Sequence, residues 1–385
     1  MDANVVIAGG GLVGASAACA LARAGLAVTL IEARTLTPNP SDELDSRVYA
    51  ISPGSARFLA DCGIWQRLPS SRIAPVHAME IFGDDGLSKL QFSAYEAGVR
   101  ELACIVEGHV LQRAAEECAV ALGDLRWIAG EACTEVDIDA DKVQVTTGTG
   151  KQLRAQLLLA ADGADSPLRQ RVGLRAHAES YAQCGVVANF RAQRPHRNVA
   201  RQWFTGDSVL ALLPLPNACV SMVWSVADLR AAQLCDMTQD ELVAAVNDAS
   251  HGEAGEMESV TPARAFSLRK VRVPRSIGKR VALLGDAAHN VHPLAGQGLN
   301  LGLGDAAAIA RILAARGAQQ DCGAWQLLRT YDRARKEDVL AMEFVTDGLQ
   351  KLFHDSRFAW LRNRGLMLTD RFRAVKGFLI RHALG

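Results

Sequence analysis

The chain lacks a net charge: 42 Lys and Arg balance 42 Asp and Glu over 385 residues. No whole-molecule field therefore draws it to nucleic acid, which is not expected as a partner. It also lacks any CxxC pair. Nine cysteines are scattered without a regular framework, the pattern of buried free thiols in a reducing compartment such as the cytoplasm. His289 and His292 stand close in sequence but without a carboxylate set, so no metal site is expected. There is no uninterrupted apolar run of the ~18 residues a spanning helix needs, and no basic segment precedes the first apolar run, so neither an integral membrane protein nor a cleaved signal is expected. Repeats and low-complexity linkers are absent too. A chain of this length exceeds one ordinary core, so two joined domains follow, and with no linker between them their sheets must be interleaved in sequence.

What is present begins at Val5-Val6-Ile7-Ala8-Gly9-Gly10-Gly11-Leu12-Val13-Gly14-Ala15. Four apolar residues read as a buried parallel strand, the glycines as a tight turn, and Ala15 to Ala24 as a helix of small residues. Gly9 and Gly11 bring bare backbone to a pyrophosphate at the helix N-terminus, and Gly14 lets the helix pack close to the strand. A second apolar run, Val28 to Ile31, ends in Glu32 and Ala33 at about the ~20-residue offset where a carboxylate accepts from a ribose hydroxyl. The pattern predicts a dinucleotide site, with Leu12 and Val13 completing its turn.

Further along, Thr35 to Glu43 reads as a polar loop, and Asp45 to Ser52 leads into a helix stopped by Gly63. Arg47 lies just ahead of that helix, placed for phosphate contact. Ala78 to Phe82 and Lys89 to Phe92 form a hairpin of a second sheet. Val110 to Leu122 carries a helical apolar stripe, with Gln112 near its start. Trp127 to Ile138, Lys142 to Thr147 and Leu153 to Ala160 read as strands, the last rejoining the parallel sheet and ending in Asp162-Gly163. Asp162 either caps the next helix or meets a ligand. Strand-like pieces at Gly185–Phe190, Ala200–Phe204, Ser208–Pro214 and Cys219–Val226, a helix at Met237–Ala249 and a strand at Ala265–Val271 predict an antiparallel substrate-binding sheet. Val281 to Leu284 is a short buried strand ending in Gly285-Asp286. Leu301 to Ala315 is an Ala-rich helix, and the chain beyond Trp325 is mostly helical.

Three motifs stand in one order: Gly9-x-Gly11-x-x-Gly14 with Glu32; Asp162-Gly163 with Ser166 and Arg169; Gly285-Asp286 running on to Pro293. In this order and spacing they resemble the class A flavoprotein monooxygenases of the para-hydroxybenzoate hydroxylase fold. The strings Asp45-x-Arg47-x-x-Ala50-Ile51-Ser52 and His292-Pro293-Leu294-Ala295-Gly296-Gln297-Gly298-Leu299-Asn300-Leu301-Gly302-Leu303-x-Asp305 are similar to those of the aromatic-ring hydroxylases of ubiquinone biosynthesis. The resemblance spans residues 1 to about 345. Two positions depart from it: Gly108-His109 replaces the Asn-Arg common before the Val110 helix, and Tyr49 is bulky for its motif.

The resemblance implies an α/β protein with a Rossmann-type FAD-binding domain (1–75, 101–180 and 272–345), interleaved with an antiparallel substrate-binding domain (76–100 and 181–271) and followed by C-terminal helices (346–385). The glycines and Glu32 would hold the ADP half of FAD, Arg47 and Gln112 its diphosphate and ribityl region, and Asp286 the pyrophosphate and ribityl hydroxyls. The Pro293 to Asn300 loop, with His292, Gly296, Gln297, Gly298 and Leu299, would lie against the flavin ring and stabilise its anionic reduced form through backbone N–H groups. Asp162-Gly163 is associated with both FAD and NAD(P)H. The implied reaction inserts one oxygen atom from O2 into a polyprenylated phenol by way of a flavin C4a-hydroperoxide, with the protein orienting the ring and excluding water; no catalytic acid or base is located. Alternatives are a hydroxylase of a soluble aromatic acid, with Arg191, Arg194, Arg197 and Arg201 available for its carboxylate, or a non-catalytic FAD-binding subunit of a quinone-biosynthesis complex. Basic residues interleaved with large apolar ones from Lys351 to Arg381 either pack on the FAD domain or meet an anionic membrane surface peripherally, placing the protein at the inner membrane.

Overall fold

A computed structural model describes residues 1–37, 43–84, 88–205, 208–253, 255–290, 297–317 and 319–354. Strand β1 (Ala3–Ala8) and β2 (Val28–Glu32) flank helix α1 (Leu12–Arg23) and pair in parallel. The helix begins three residues earlier than its small-residue run indicates. β3 (Val48–Ile51) then precedes α2 (Pro53–Asp61), whose cap Ser52 takes the Ser55 N–H while Pro53 opens the first turn. β4 (Ile73–Val76), the hairpin β5 (Ala78–Phe82) and β6 (Lys89–Ser93), the short helix α3 (Ala94–Ala97) and β7 (Ala103–Glu107) follow. β3, β7 and β4 form a small three-stranded antiparallel sheet. The sequence reading had no place for it, because its strands are only four or five residues long and pair with partners 27 to 59 positions away.

Helix α4 (Gly108–Val120) leads to β8 (Leu125–Ala129), β9 (Cys133–Ile138), β10 (Val143–Thr147) and the long β11 (Gln152–Ala160). The single strand expected over Trp127–Ile138 is two. Gly130, at φ +78°, turns the chain between them, and the halves go to different places, β8 beside β2 and β9 beside β10. β11 serves two partners on one side: its first half pairs with β10 and its last three residues with β19 (Val281–Leu283). The parallel order is β19-β11-β1-β2-β8. One face of this sheet is packed by α1, α4 and the later helices, and the other covers a second core with β9, β10 and α5 (Pro167–Arg171).

β12 (His177–Ala192), longer than expected, runs on to β13 (Val199–Thr205), β14 (Ser208–Pro214) and β15 (Cys219–Ala227) in the large antiparallel sheet. Two helices, not one, cross its outer face: α6 (Asp228–Asp236) ends where Met237 caps it, and α7 (Gln239–Ala249) restarts behind a Thr238–Glu241 capping box. β16 (Met257–Ser259) and β17 (Arg264–Arg272) pair with β12. β18 (Ile277–Gly278) borders β19, and β20 (His289–Asn290) pairs with β17, so the chain crosses back to the large sheet just after Gly285-Asp286. α8 (Gly298–Ala314) starts three residues before the expected Leu301, and α9 (Trp325–His354) closes the described chain. No helix among the described residues is long and apolar enough to cross a membrane.

Side chains alternate between the two faces of the large sheet. The row Val186, Trp224, Leu210, Trp203 and Phe82 lies under α6 and α7, with Trp203 stacked on Phe82 at 5.4 Å. The next row, Val187, Val223, Ala211, Gln202 and Ile81, points the other way and is half-buried throughout.

Candidate functional site

Gly9 carries φ +103°, and a Cβ there would stand 2.2 Å from the Ala161 carbonyl oxygen. The turn after β1 therefore runs hard against the end of β11. A Cβ on Gly14 would lie 1.9 Å from the Gly9 carbonyl oxygen, so the first turn of α1 sits directly on that turn. Gly11 differs: nothing lies within 4 Å of where its Cβ would be. It is the N-cap of α1, with no side-chain cap. The first-turn N–H groups of the helix thus open onto free space beside a bare backbone, which is a cradle for an anion.

Glu32 lines the same turn. It accepts from the Gly10 N–H at 2.5 Å and from Arg34 through N–H and Nε at 2.9 and 3.0 Å. Burial opposes its ionisation, but the Arg34 and Gly10 hydrogen bonds outweigh that and hold the carboxyl below its ordinary value. Ala33 follows directly, exposed just past the end of β2. Gln112 on α4 donates to the Gly10 carbonyl at 2.8 Å and to Glu116 at 2.9 Å, so its amide braces the turn.

Asp162 accepts from the Ser166 hydroxyl at 2.5 Å and the Leu168 N–H at 3.1 Å. Its carboxylate organises the start of α5, which is the capping alternative; burial raises its pKa despite those bonds. Arg169, buried in the same helix, donates to the Ala287 carbonyl at 2.8 Å and to Ala164 at 2.9 Å. This one side chain joins the Asp162-Gly163 loop to the Gly285-Asp286 loop.

Gly285, Val13 and Gly302 meet at one point. A Cβ on Gly302 would be 2.7 Å from Val13 Cγ2, and one on Gly285 3.2 Å from it. Asp286 next to them is open to solvent, yet the protein crowded around it raises its pKa, against the pull of His289, Arg47 and Arg269. Solvent access combined with dense protein surroundings places the carboxyl at the floor of a recess. Arg47 reaches the same recess and lies over the Phe266 ring at 4.7 Å. Tyr49 shares it; burial raises the phenol pKa while neighbouring Arg47 opposes the rise. Gly108 is closely hemmed: a Cβ there would come 3.3 Å from the Arg47 carbonyl oxygen, Asp45 Oδ2 and Tyr49 Cε2 alike.

Gln297 occupies the N-cap position of α8 without a side-chain capping bond, and Asn300 lies in the first turn. Asn300 donates to the Ala50 carbonyl at 2.9 Å and to Gln297 at 2.9 Å, and accepts the Ser52 N–H at 3.0 Å. It is a clip between α8 and the Arg47 strand. Gly298 and Leu299 occupy the first turn of α8. His292, Pro293 and Gly296 lie outside the described residues, as does the basic stretch beyond His354.

Behind the recess lies a buried network that no motif announced. Asp305 on α8 accepts from the Gly285 N–H at 2.8 Å, His289 Nε2 at 2.7 Å and Arg335 Nε at 2.7 Å. Arg335 also holds the Leu301 carbonyl, and Tyr331 donates to Leu283 at 2.8 Å. His289 is therefore a structural partner of Asp305; no metal-ligand cluster occurs among the described residues. Asp305 stood in the quoted motif string, but its partner on α9 carries no local signal.

The half-buried row of the large sheet faces the recess. From the same face Asn189 donates to the Asp45 carbonyl at 2.8 Å, and Phe266 supports Arg47. Of the arginines considered for a substrate carboxylate, Arg201 alternates with Gln202 and belongs to the outer face, where Arg194 and Arg197 line a concavity with it; Arg191 alternates onto the face of Val187 and Asn189, exposed and 3.6 Å from Glu258. The row Val187, Val223, Ala211, Gln202 and Ile81 is uncharged, and on β17 it continues to the exposed Arg264, which pairs with Val187.

A family model described as an FAD binding domain matches residues 2–344. Ubiquinone hydroxylase UbiL of Rhodospirillum rubrum is 32% identical over 387 residues, covering 100% of this chain and 90% of the relative. The 3-demethoxyubiquinol 3-hydroxylase of Escherichia coli is 32% identical over 388 residues, covering 99% of this chain and 98% of the relative. Among solved structures, P. aeruginosa PqsL in complex with 2-aminobenzoylacetate aligns with a TM-score of 0.80 over 95% of this chain and 100% of that one, at 23% identity, a likeness of fold. With the glycine turn, the Asp286 recess and the interleaved sheets in the arrangement described, the chain belongs to the family of FAD-dependent aromatic-ring hydroxylases of ubiquinone biosynthesis.

Proposed function

We propose that this protein uses FAD, NAD(P)H and O2 to hydroxylate the ring of a polyprenylated phenol in ubiquinone biosynthesis. The observation that carries the substrate class is the uncharged, half-open wall from Val187 to Ile81 opposite the Asp286 recess. An aromatic ring can lie along these five residues without stranding a charge, and the one guanidinium of the row, Arg264, stands exposed at its β17 end.

The cradle fits FAD. The open N-terminus of α1 at Gly11 would receive the pyrophosphate, and Glu32 the ribose hydroxyls of the ADP half. Arg47 and Asp286 would flank the diphosphate and ribityl chain. Gln112 and Asp162 would act through the backbone they brace, and Asn300 through the Ala50–Ser52 strand it holds. The Pro293–Asn300 loop would supply backbone N–H groups to the flavin ring. FAD, when bound, supplies the transfer of one oxygen atom from O2 to the ring. The chain's part is to orient the phenol on the Val187–Ile81 wall and keep water from the reacting atoms.

The segment beyond His354, rich in Arg and large apolar residues, is the part we assign to peripheral contact with an anionic membrane, where such a substrate resides. Deleting the gene in its host and identifying the accumulated precursor tests the function. A prenylated ring lacking one hydroxyl is expected; unchanged quinone content would sink the proposal.

A further inference from the structure

A second concavity lies on the other side of the large sheet, beside the connection between β12 and β13. It encloses about 260 Å³. Its floor is apolar, formed by Leu212, Val220 and Met257, and its rim carries Arg194, Arg197 and Arg201. Leu212 and Val220 belong to the outer face, since each alternates with a residue of the opposite one. The cavity is therefore separated from the Asp286 recess by the thickness of the sheet.

The three arginines are not equivalent. Arg201 is held by Glu80 at 3.0 Å. Arg194 and Arg197 have no hydrogen bond or ion pair among the described residues, and the lining holds a single carboxylate, Glu253, against the three guanidinium groups. Arg197 and Asn198, at φ +51° and +59°, are the central pair of a tight turn closed by the Val199 N–H on the His196 carbonyl at 3.0 Å. It is pinned on both sides: the Asn198 N–H donates to His196 Nδ1 at 3.0 Å, His196 Nε2 meets the Leu215 carbonyl at 2.9 Å, and the His77 N–H donates to the Asn198 carbonyl at 2.8 Å. Burial keeps His196 neutral at ordinary pH by lowering its pKa, so it serves as a brace and adds no charge. The turn thus holds the Arg197 backbone in a fixed place at the rim.

Size limits the occupant. Drug-sized sites run from roughly 300 to 1,000 Å³, and this one is smaller. An apolar floor beneath cationic groups asks for a ligand with an apolar end inward and an anion at the mouth. A guanidinium fork matches a carboxylate or a phosphate, and the small volume over an apolar floor suits the carboxylate of a compact apolar acid.

We infer that this recess binds a small carboxylic acid with a compact apolar body, its ring or branched chain on Leu212, Val220 and Met257 and its carboxylate between Arg194 and Arg197. The site is independent of the hydroxylation site, although Arg201 at its rim and Gln202 on the inner wall are consecutive residues of β13.

The test is calorimetric titration of the FAD-loaded full-length protein with benzoate, following the flavin absorbance in parallel. Binding without a change in the flavin spectrum is expected. The double variant Arg194→Gln/Arg197→Gln should bind benzoate about tenfold more weakly with unchanged FAD content, and Leu212→Trp, which fills the floor, should abolish binding. Benzyl alcohol, with the same ring and no charge, and inorganic phosphate, with charge and no ring, should each bind at least tenfold more weakly than benzoate. Equal binding by the double variant, or phosphate binding as well as benzoate, would overturn the inference. So would benzoate binding that perturbs the flavin and disappears in Ala211→Phe, since the acid would then occupy the inner wall. None of these outcomes bears on whether the protein hydroxylates a phenol.

Discussion

The Ser52 N–H donates to Asn300 Oδ1 at 3.0 Å across 248 positions of sequence. Ser52 is also the N-cap of α2, so this single amide ties the helix after the Arg47 strand to the first turn of α8. With the Asn300 bond to the Ala50 carbonyl, the clip fixes Arg47 relative to the loop that would lie on the flavin.

Asn300→Ala removes both bonds and leaves a strand N–H and a carbonyl without partners, at a cost of roughly 1–3 kcal/mol for such groups. FAD affinity should fall and the apo protein should melt earlier. Asn300→Asp keeps the acceptor for Ser52 but loses the donor to Ala50, so it should lie between the two. An FAD titration with a thermal melt reads both effects, and an alanine variant with wild-type affinity would remove Asn300 from any positioning role.

Gly11 and Gly14 should separate binding from folding. A side chain on Gly11 enters open space, so Gly11→Val should leave the apo melting temperature near wild type while the purified protein loses its yellow colour. Gly14→Ala puts a methyl 1.9 Å from the Gly9 carbonyl oxygen and should destabilise the fold itself, by roughly the 1–3 kcal/mol of an overpacked core. Absorbance at flavin wavelengths and calorimetric melting make the comparison. The reverse pattern would mean that the cradle has been placed at the wrong turn.

The His289–Asp305 contact predicts a pH dependence. Burial disfavours a charged His289, yet Asp305 outweighs it and raises the pKa above the ordinary 6.5, with Arg335 opposing and Asp286 assisting. A histidine whose folded pKa is raised stabilises fully below its unfolded value and loses that contribution as pH rises through the folded value. His289→Gln should therefore be most destabilised relative to wild type near pH 6, with the gap in melting temperature narrowing toward alkaline pH. A gap that widens with pH would contradict the assignment.

The parts of this protein that could be read in its sequence are those whose cause is local. The glycine turn, Glu32 and the alternation of the β12–β15 strands each follow from neighbours a few residues apart. Alternation even separates Arg201 from Gln202, but nothing local says which of the two looks toward Asp286; that depends on α6 and α7 covering one face. The small β3-β7-β4 sheet was missed for the same reason, since four-residue strands acquire their identity only by pairing. Arg335 had no legible role at all. It sits on a polar amphipathic helix, and only the return of that helix to Asp305 gives the guanidinium a buried partner.

The clip between Ser52 and Asn300 has a further consequence for folding. The glycine turn lies in the first twenty residues, but it packs on Ala161 and is braced by Gln112, and the strand after Arg47 is anchored by a residue 250 positions further on. Pairings this distant must meet the loop-closure cost before they are rewarded. The β1–α1–β2 unit thus depends on β11 for its sheet neighbour and the seating of Arg47 depends on α8, so a chain truncated before Asn300 is expected to lack a complete flavin cradle.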